Sequence, residues 1–215
     1  MTYLELVNAV LRKLREDEVT TVAESPYSTM IGDIVNDAKQ LVEDSWDWTS
    51  LRDSHTITTV AGTFVYSLTD FTPRSKVLYA NNETENMSVR QQSVQKLRDM
   101  RLGAEDQRGN VQFFSVSGTD SNGDLQVLVW PTPDSTETLT VYGVKRPPAL
   151  VADADTLSVP SQPVIQWAYS YALRERGETG GDSGAEQAIF AKNDLSTAIA
   201  LDANHHPEEL IWTTV

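Results

Sequence analysis

Residues 128–150 are LVWPTPDSTETLTVYGVKRPPAL, and this stretch carries the pattern from which the fold class is inferred. All four residues at 127–130 are apolar, so both faces of a strand there would be apolar, as in a strand that is covered on both sides. The prolines within 131–133 cannot donate ladder hydrogen bonds, and a second alternating run follows at 138–145. The proline pair at 147–148 then ends the β region. The stretch predicts a hairpin with a rigid exit, and it contains no group suited to catalysis.

The residues before this stretch also have a hydrophobic period of two. HTITTVAGTFVYSLT alternates around a central Ala-Gly pair and predicts a hairpin with strands at about 54–60 and 63–68. We expect a further strand at 76–80, followed by NNETEN as a turn or loop. Two more strands are expected at VQFFSVSG and DLQVLVW, on either side of the turn TDSNG. A short helix is predicted at 93–102.

Both ends of the chain have a helical period instead. Thr2 and Glu5 have the spacing of a capping box at the start of a helix predicted over about 3–17. A serine followed by proline starts a second helix, predicted over about 27–47. The face of this helix opposite its apolar stripe is expected to be solvated and carries three acids: Asp33, Asp37 and Glu43.

Two more helices are predicted near the other end, one beginning at Ser161 and one at about 183–202. The loop GETGGDSG separates them. The last helix carries five apolar residues: Ala188, Ile189, Leu195, Ile199 and Leu201.

The fold class expected from this order is α+β, with an antiparallel β-sandwich or barrel inserted into a helical bundle. The bundle is assigned to residues 1–50 and 160–203. The antiparallel β region with its one short helix is assigned to 51–159, and an extended tail to 204–215.

Composition restricts the functional classes. The 215 residues contain 31 acids and 17 bases, a formal net charge of −14, which argues against a dedicated grip on nucleic acid. A solvated acidic surface is the simplest interpretation of that charge. The chain has no cysteine, so disulfides and thiolate chemistry are excluded. No apolar stretch is long enough for a membrane helix and the N-terminus resembles no signal peptide, so we expect a cytosolic product.

The candidate chemical groups do not form a site. His55 is expected on a strand without a nucleophile beside it, and the adjacent His205 and His206 lack the spacing of a zinc site. GETGGDSG has no lysine and two acids, which disfavours phosphate binding. DSNGD, at 120–124, departs from a calcium loop and suits a turn better. We therefore expect no catalytic residue, metal or cofactor.

Aromatic residues are more informative. Trp46 continues the apolar face of the second helix and Trp48 lies just past it, and both are expected to form the core of the helix–sheet junction. Trp212 lies in the tail within ELIWTTV, behind Pro207. This cluster either folds back onto its own helices or docks on a partner, where aromatic side chains commonly act as anchors.

In order and spacing, several segments resemble the head-to-tail adaptor proteins of tailed bacteriophages, including the tail tubular protein A type. They are YLELVNAVLRKLRE, YSTMIGDIVNDAKQLVEDSWDWTSLR, TITTVAGTFVYSL, VWPTPDSTETLTVYGVKRPPALVADADTLSVPS and IQWAYSYALRERGE. The resemblance spans residues 3 to about 178 and is weaker for the last helix and tail.

The resemblance implies a non-enzymatic virion protein that is assembled in the bacterial cytoplasm. It implies a ring, typically of twelve copies, between the portal protein and a downstream tail or nozzle protein, with viral DNA passing through its channel without specific binding. It also implies that the C-terminal segment docks on the portal. The residues expected at that interface are Glu208, Glu209, Leu210, Ile211, Trp212 and Val215.

A second functional class stays open at this point. A β-sandwich module that binds carbohydrate or decorates a capsid would expose aromatic side chains on the β region, such as Tyr79, Phe113 or Tyr142. A hydrolase is a third class, but no acid or histidine site supports it.

Overall fold

The computed structural model describes residues 1–103, 107–177 and 182–205. The fold is α+β, with five α-helices and a nearly closed seven-stranded sheet among the described residues. The chain divides into two compact units. One contains Met1–Ser50 with the described residues from Pro147 onward, and the other contains Leu51–Arg146.

Helices begin and end the described chain, and the strands lie between them. The helices are α1 (Tyr3–Lys13), α2 (Pro26–Ser45), α3 (Val94–Gly103), α4 (Ser161–Glu175) and α5 (Asp182–Ala203). The strands are β1 (Arg52–Thr58), β2 (Val65–Leu68), β3 (Lys76–Asn82), β4 (Met87–Gln91), β5 (Phe113–Thr119), β6 (Leu125–Trp130) and β7 (Thr138–Val144).

Helix α1 begins at the predicted capping box. The amide of Glu5 donates to the Thr2 hydroxyl (3.2 Å), and the Glu5 carboxylate accepts from the Thr2 amide (2.9 Å). The amide of Tyr3 donates to the carbonyl of Asp155 (2.8 Å), so a distant loop satisfies another free amide of the first turn. The helix ends at Lys13, earlier than predicted, and Arg15 has a left-handed backbone with φ 59°.

Helix α2 buries the apolar stripe that the sequence predicts, and Ile31, Val35 and Val42 are fully buried. The prediction that Glu43 faces solvent is wrong, because its side chain is 0% exposed. The Glu43 carboxylate lies 2.8 Å from the ammonium of Lys39, one turn earlier. The buried face is therefore wider than the apolar stripe and includes an ion pair on its flank.

Residues 147–159, which the sequence pattern places in the β region, lie in the unit of the helices. The Lys39 ammonium donates to the carbonyls of Pro147 (3.3 Å) and Pro148 (2.8 Å). Asn36 exchanges two hydrogen bonds with the backbone of Leu150, at 3.0 and 2.8 Å. These contacts hold the segment against α2, which explains why the boundary between the units lies at Arg146.

The sheet has the order β1-β7-β3-β4-β5-β6-β2. Strand β1 pairs with β7 and β2 pairs with β6, so the hairpin predicted around Gly62 is not formed. Strand β7 pairs with β1 and β3, so the predicted hairpin of β6 and β7 is also wrong. The pairing of β4 with β5 is parallel, which makes the sheet mixed rather than purely antiparallel. The two strands beside the TDSNG turn, β5 and β6, pair as expected.

The sequence pattern did not predict strand β4. This strand pairs with β3, and the predicted turn NNETEN joins the two. The interior of the sheet is largely apolar, but it contains the buried carboxylate of Glu137, which is 1% exposed and directly precedes β7. Its carboxylate accepts hydrogen bonds from the Asn82 side chain and from the amide of Val111 (3.2 Å). A buried carboxylate held in this way ties three separate chain segments together.

Candidate interaction site

The residues predicted to dock on the portal, Glu208, Glu209, Leu210, Ile211, Trp212 and Val215, lie outside the described part of the chain. The same holds for His206 and for most of the glycine-rich loop at 178–181. The docking assignment stays a prediction.

Trp46 and Trp48, the predicted junction residues, have different environments. The Trp48 side chain is fully buried, and its indole donates to the carbonyl of Val42 (2.8 Å). Trp46 is half-buried, and its indole donates to the Asp202 carboxylate at the end of α5 (3.0 Å). Asp202 also accepts from the amide of Thr49 (3.0 Å). The tryptophan-bearing segment thus fixes the last turn of α5.

The DSNGD segment forms a turn. Gly123 has φ 89°, and its amide donates to the carbonyl of Asp120 (3.2 Å). Desolvation would raise the pKa of Asp120, but hydrogen bonds from the Ser67 hydroxyl and the backbone amides of the turn outweigh it and hold that pKa below its usual value. Within the described ranges, no group of three or more acidic or histidine side chains could hold a metal ion.

Helix α5 exposes several large apolar side chains. Helix α5 packs on α4, and Ala191 is fully buried there. Ile189, Phe190 and Leu201 are exposed by 60%, 58% and 64%. The sequence could have indicated this surface, because the helix contains more apolar residues than a single packed stripe requires.

We define the outer face of α5 by the exposed side chains between residues 186 and 201: Glu186, Ile189, Phe190, Lys192, Asn193, Ser196, Thr197, Ala200 and Leu201. This set contains one base, Lys192, and one acid, Glu186. By contrast, the exposed side chains of α2 include Asp33, Asp37 and Asp44 and no base. The two helices therefore present surfaces of different charge and polarity.

A second exposed feature lies in the β unit. Tyr79 on β3 and Tyr142 on β7 are register partners, and their rings stack with centroids 4.7 Å apart. Tyr79 is 51% exposed. A groove of about 320 Å³ beside them is also lined by Arg52, Asp53 and other residues. Phe113, the third aromatic residue of the candidate carbohydrate module, is half-buried on β5.

Comparison with known proteins identifies the family of the chain. The sequence model of the SU10 adaptor protein family matches residues 1–207. The chain belongs to the SU10 adaptor protein family. Because this is a family of phage head-to-tail adaptors, the resemblance inferred from the sequence is confirmed. None of the curated proteins matches the chain.

Membership in the SU10 adaptor family implies a structural component of the virion that interacts with portal and tail proteins and self-assembles. The match ends at residue 207, so it does not extend over the predicted docking residues. Among the helices that the structure describes, none combines the length and apolar character that crossing a bilayer requires.

Proposed function

We propose that this SU10 adaptor forms the ring that joins the portal to the tail and lines the channel through which DNA passes. The observation that carries the proposal is the family match over residues 1–207. The net charge of −14 supports it, because an acidic wall repels the phosphate backbone and lets DNA slide without binding. A closed ring, expected to contain twelve copies, requires each copy to present complementary surfaces to its two neighbours.

In this proposal the two parts of the chain have separate tasks. The helices of 1–50 and 160–203 form a bundle that carries the contacts between copies, and the β unit is a rigid insert. The tail at 204–215 docks on the portal, with Leu210, Ile211 and Trp212 as apolar anchors. Glu208 and Glu209 set the register of docking through charge. Trp46 and Trp48 hold the helical end of the structure in place for these contacts.

The test is reconstitution with the portal protein of the same phage, followed by negative-stain microscopy. We expect a ring of twelve copies on the portal, and a protein truncated at residue 204 to lose portal binding. Substitution of Trp212 by alanine should weaken binding by on the order of 30-fold or more, as at an interface hot spot. Undiminished binding of the truncated protein would refute the docking assignment, and the absence of any ring would refute the function.

A carbohydrate-binding module is the second candidate, and the stacked pair of Tyr79 and Tyr142 is the observation that favours it. Exposed aromatic rings beside polar side chains are suited to sugar stacking. Two results together would favour this candidate. The protein would bind a glycan array and lose that binding in a Tyr79→Ala variant, and it would stay monomeric in the presence of portal. The same pair also stabilises the sheet as a cross-strand aromatic contact, which requires no ligand.

A further inference from the structure

A pocket of about 350 Å³ lies in the β unit between α3 and strand β2. Helix α3 packs on β5 and β6, and its Leu97 is buried. Alternate residues of β6 belong to different faces of the sheet. Leu125 and Val127 join the interior of the sheet, whereas Leu128 and Trp130 are buried on the other face and line the pocket beside Leu97. The pocket therefore has an apolar floor although it opens on the outer face of the sheet.

Two arginines of α3 provide the charge of this pocket. Arg98 is exposed and Arg101 is half-buried, and the described residues that line the pocket include no acid. The guanidinium carbon of Arg101 lies 3.4 Å from the centre of the Phe64 ring. Within the described ranges, neither guanidinium forms an ion pair or a hydrogen bond. Asp99, an exposed acid of the same helix, lies about 160° around the helix axis from Arg101 and does not line the pocket.

This arrangement is suited to a carboxylate on an apolar stem. A guanidinium that stacks on an aromatic ring keeps the N–H groups at its edge available for a carboxylate, which can accept two parallel hydrogen bonds from it. Arg101 is held in this way, and Arg98 supplies a second positive charge. The apolar floor favours an acidic side chain with apolar neighbours over a hydrated inorganic ion. Leu102, which is 84% exposed and one turn after Arg98, adds a further apolar side chain beside the pocket.

The charge of the chain is divided unequally between its two units. Residues 51–146 contain 11 acids and 10 bases, whereas the rest of the chain contains 20 acids and 7 bases. A closed ring is built from heterologous contacts, in which each copy offers two different surfaces that complement each other. An arginine pocket in the β unit and the acids of the helical unit form such a pair of surfaces, and every copy carries both.

We propose that the pocket between α3 and β2 binds an aspartate or glutamate side chain from the helical unit of a second copy. The proposal rests on the proposed function, because it takes self-assembly from the adaptor family. It adds the β unit to the contacts between copies that the helices carry. A volume of about 350 Å³ is at the low end of the range of ligand pockets, about 300–1,000 Å³, so the pocket accommodates one or two side chains rather than a folded element.

Charge reversal at the pocket tests this contact. Arg98→Glu should weaken assembly by on the order of 30-fold or more in mass photometry of portal complexes. Arg101→Lys keeps the charge but loses the planar fork and its ring stack, and should weaken assembly by about 10-fold. The matched control is Arg90→Glu, the same change at an exposed arginine of β4 outside the pocket. Because Arg90 and Arg98 are exposed, neither reversal should alter the thermal unfolding of the isolated protein. Equal assembly of these two variants would refute the proposal.

Photo-crosslinking identifies the source of the acid. The chain has no cysteine, so a Leu102→Cys variant can be labelled at one site with a benzophenone maleimide. The labelled protein is mixed with an excess of ¹⁵N protein, assembled with portal and irradiated, and the crosslinked peptides are identified by mass spectrometry. We expect crosslinks to ¹⁵N peptides from residues 1–50 or 147–205, which belong to another copy. Replacing the crosslinked acid by lysine should then restore the assembly of Arg98→Glu.

Other outcomes overturn the proposal. Crosslinks to the same copy, to residues 206–215 or to portal would assign the pocket to another occupant, and a ring without crosslinks would leave the pocket open. Binding of a fluorescent DNA duplex that is lost in Arg98→Glu but kept in Arg90→Glu would make it a phosphate site. The proposed function survives each of these results, because the unaltered protein still forms its ring. An unaltered protein that forms no ring with portal refutes the proposed function as well.

Discussion

The buried ion pair of Lys39 and Glu43 allows a quantitative test of how the helical unit is held together. The two side chains are 3% and 0% exposed, and their charged atoms lie 2.8 Å apart. Removing one member of such a pair typically destabilises a protein by about 3–5 kcal/mol, because the other charge stays buried. We therefore expect a Lys39→Met variant to lose about 3–5 kcal/mol of unfolding free energy, a large part of the about 5–15 kcal/mol of a typical domain.

The two charges should also be strongly coupled. A Lys39→Met/Glu43→Leu double variant removes both charges, and such replacements are often close to neutral. Its remaining loss should be about 1–3 kcal/mol, because Lys39 also donates to the carbonyls of Pro147 and Pro148. The double-mutant cycle should thus give a coupling free energy of about 3 kcal/mol or more between positions 39 and 43.

Urea unfolding followed by tryptophan fluorescence measures these free energies, and hydrogen exchange of the α2 amides assigns the change to the helical unit. The control is Arg12→Met, which removes an ion pair with Glu18 (2.6 Å) whose side chains are 56% and 53% exposed. This variant should change stability by less than about 1 kcal/mol. If Lys39→Met cost no more than the control, the buried pair would not be what holds residues 147–150 against α2.

Three further changes test other parts of the fold. Gly143→Ala should destabilise the protein by about 1–3 kcal/mol in thermal unfolding, because a Cβ there would lie 2.5 Å from a backbone oxygen of β3. The control Gly103→Ala should not destabilise the protein, because a Cβ at that position meets no neighbour. Equal melting temperatures of the two variants would contradict this reasoning. The pKa of Asp155 is lowered by two backbone amides, so its stabilising effect is present above about pH 4 and is lost as the pH falls through the folded pKa. Asp155→Asn should therefore flatten the pH dependence of unfolding below about pH 4, and an unchanged profile would exclude this role. Asp202→Ala should remove the hydrogen bond of the Trp46 indole to α5, shift the tryptophan fluorescence to longer wavelength and speed hydrogen exchange in the last turn of α5, whereas unchanged exchange would show that the turn is held elsewhere.

The helices could be predicted because their signals are local. The capping box of Thr2 and Glu5 and the Ser25–Pro26 start lie within a few residues of the helices they begin. The end of α1 was less predictable, since the left-handed backbone at Arg15 has no glycine or asparagine to announce it. The position of Glu43 was mispredicted because the width of a buried face depends on what covers it.

The strand pairing could not be predicted, because partners in a sheet are chosen over long sequence distances. Gly62 lies between β1 and β2, and its φ of 82° is suited to a tight hairpin turn. Its amide instead donates to the carbonyl of Pro133 (2.9 Å), in the loop between β6 and β7. The turn therefore links two strands at opposite ends of the sheet order, a result of tertiary contacts that the local pattern does not contain.

Some functional features could be predicted from the sequence and others could not. The family could be inferred from the order and spacing of segments between residues 3 and about 178, and the family match covers residues 1–207. The outer face of α5 could not, since Ile189 and Leu201 satisfy a helical pattern equally well whether they are packed or exposed. Only the contacts of α4 and α5 distinguish the two faces.

The connection between the units explains how one chain forms both. The β unit begins at Leu51 and ends at Arg146, and its first and last strands pair, with Arg52 opposite Val144. The amide of Lys145 also donates to the carbonyl of Leu51 (2.8 Å), so the two ends of the insert are joined within the β unit itself. An insert whose ends are adjacent can be placed in a loop of another fold without separating that fold's own segments. The last residues of LVWPTPDSTETLTVYGVKRPPAL then belong to the helices, where a buried lysine binds the proline carbonyls and fixes the path of the returning chain.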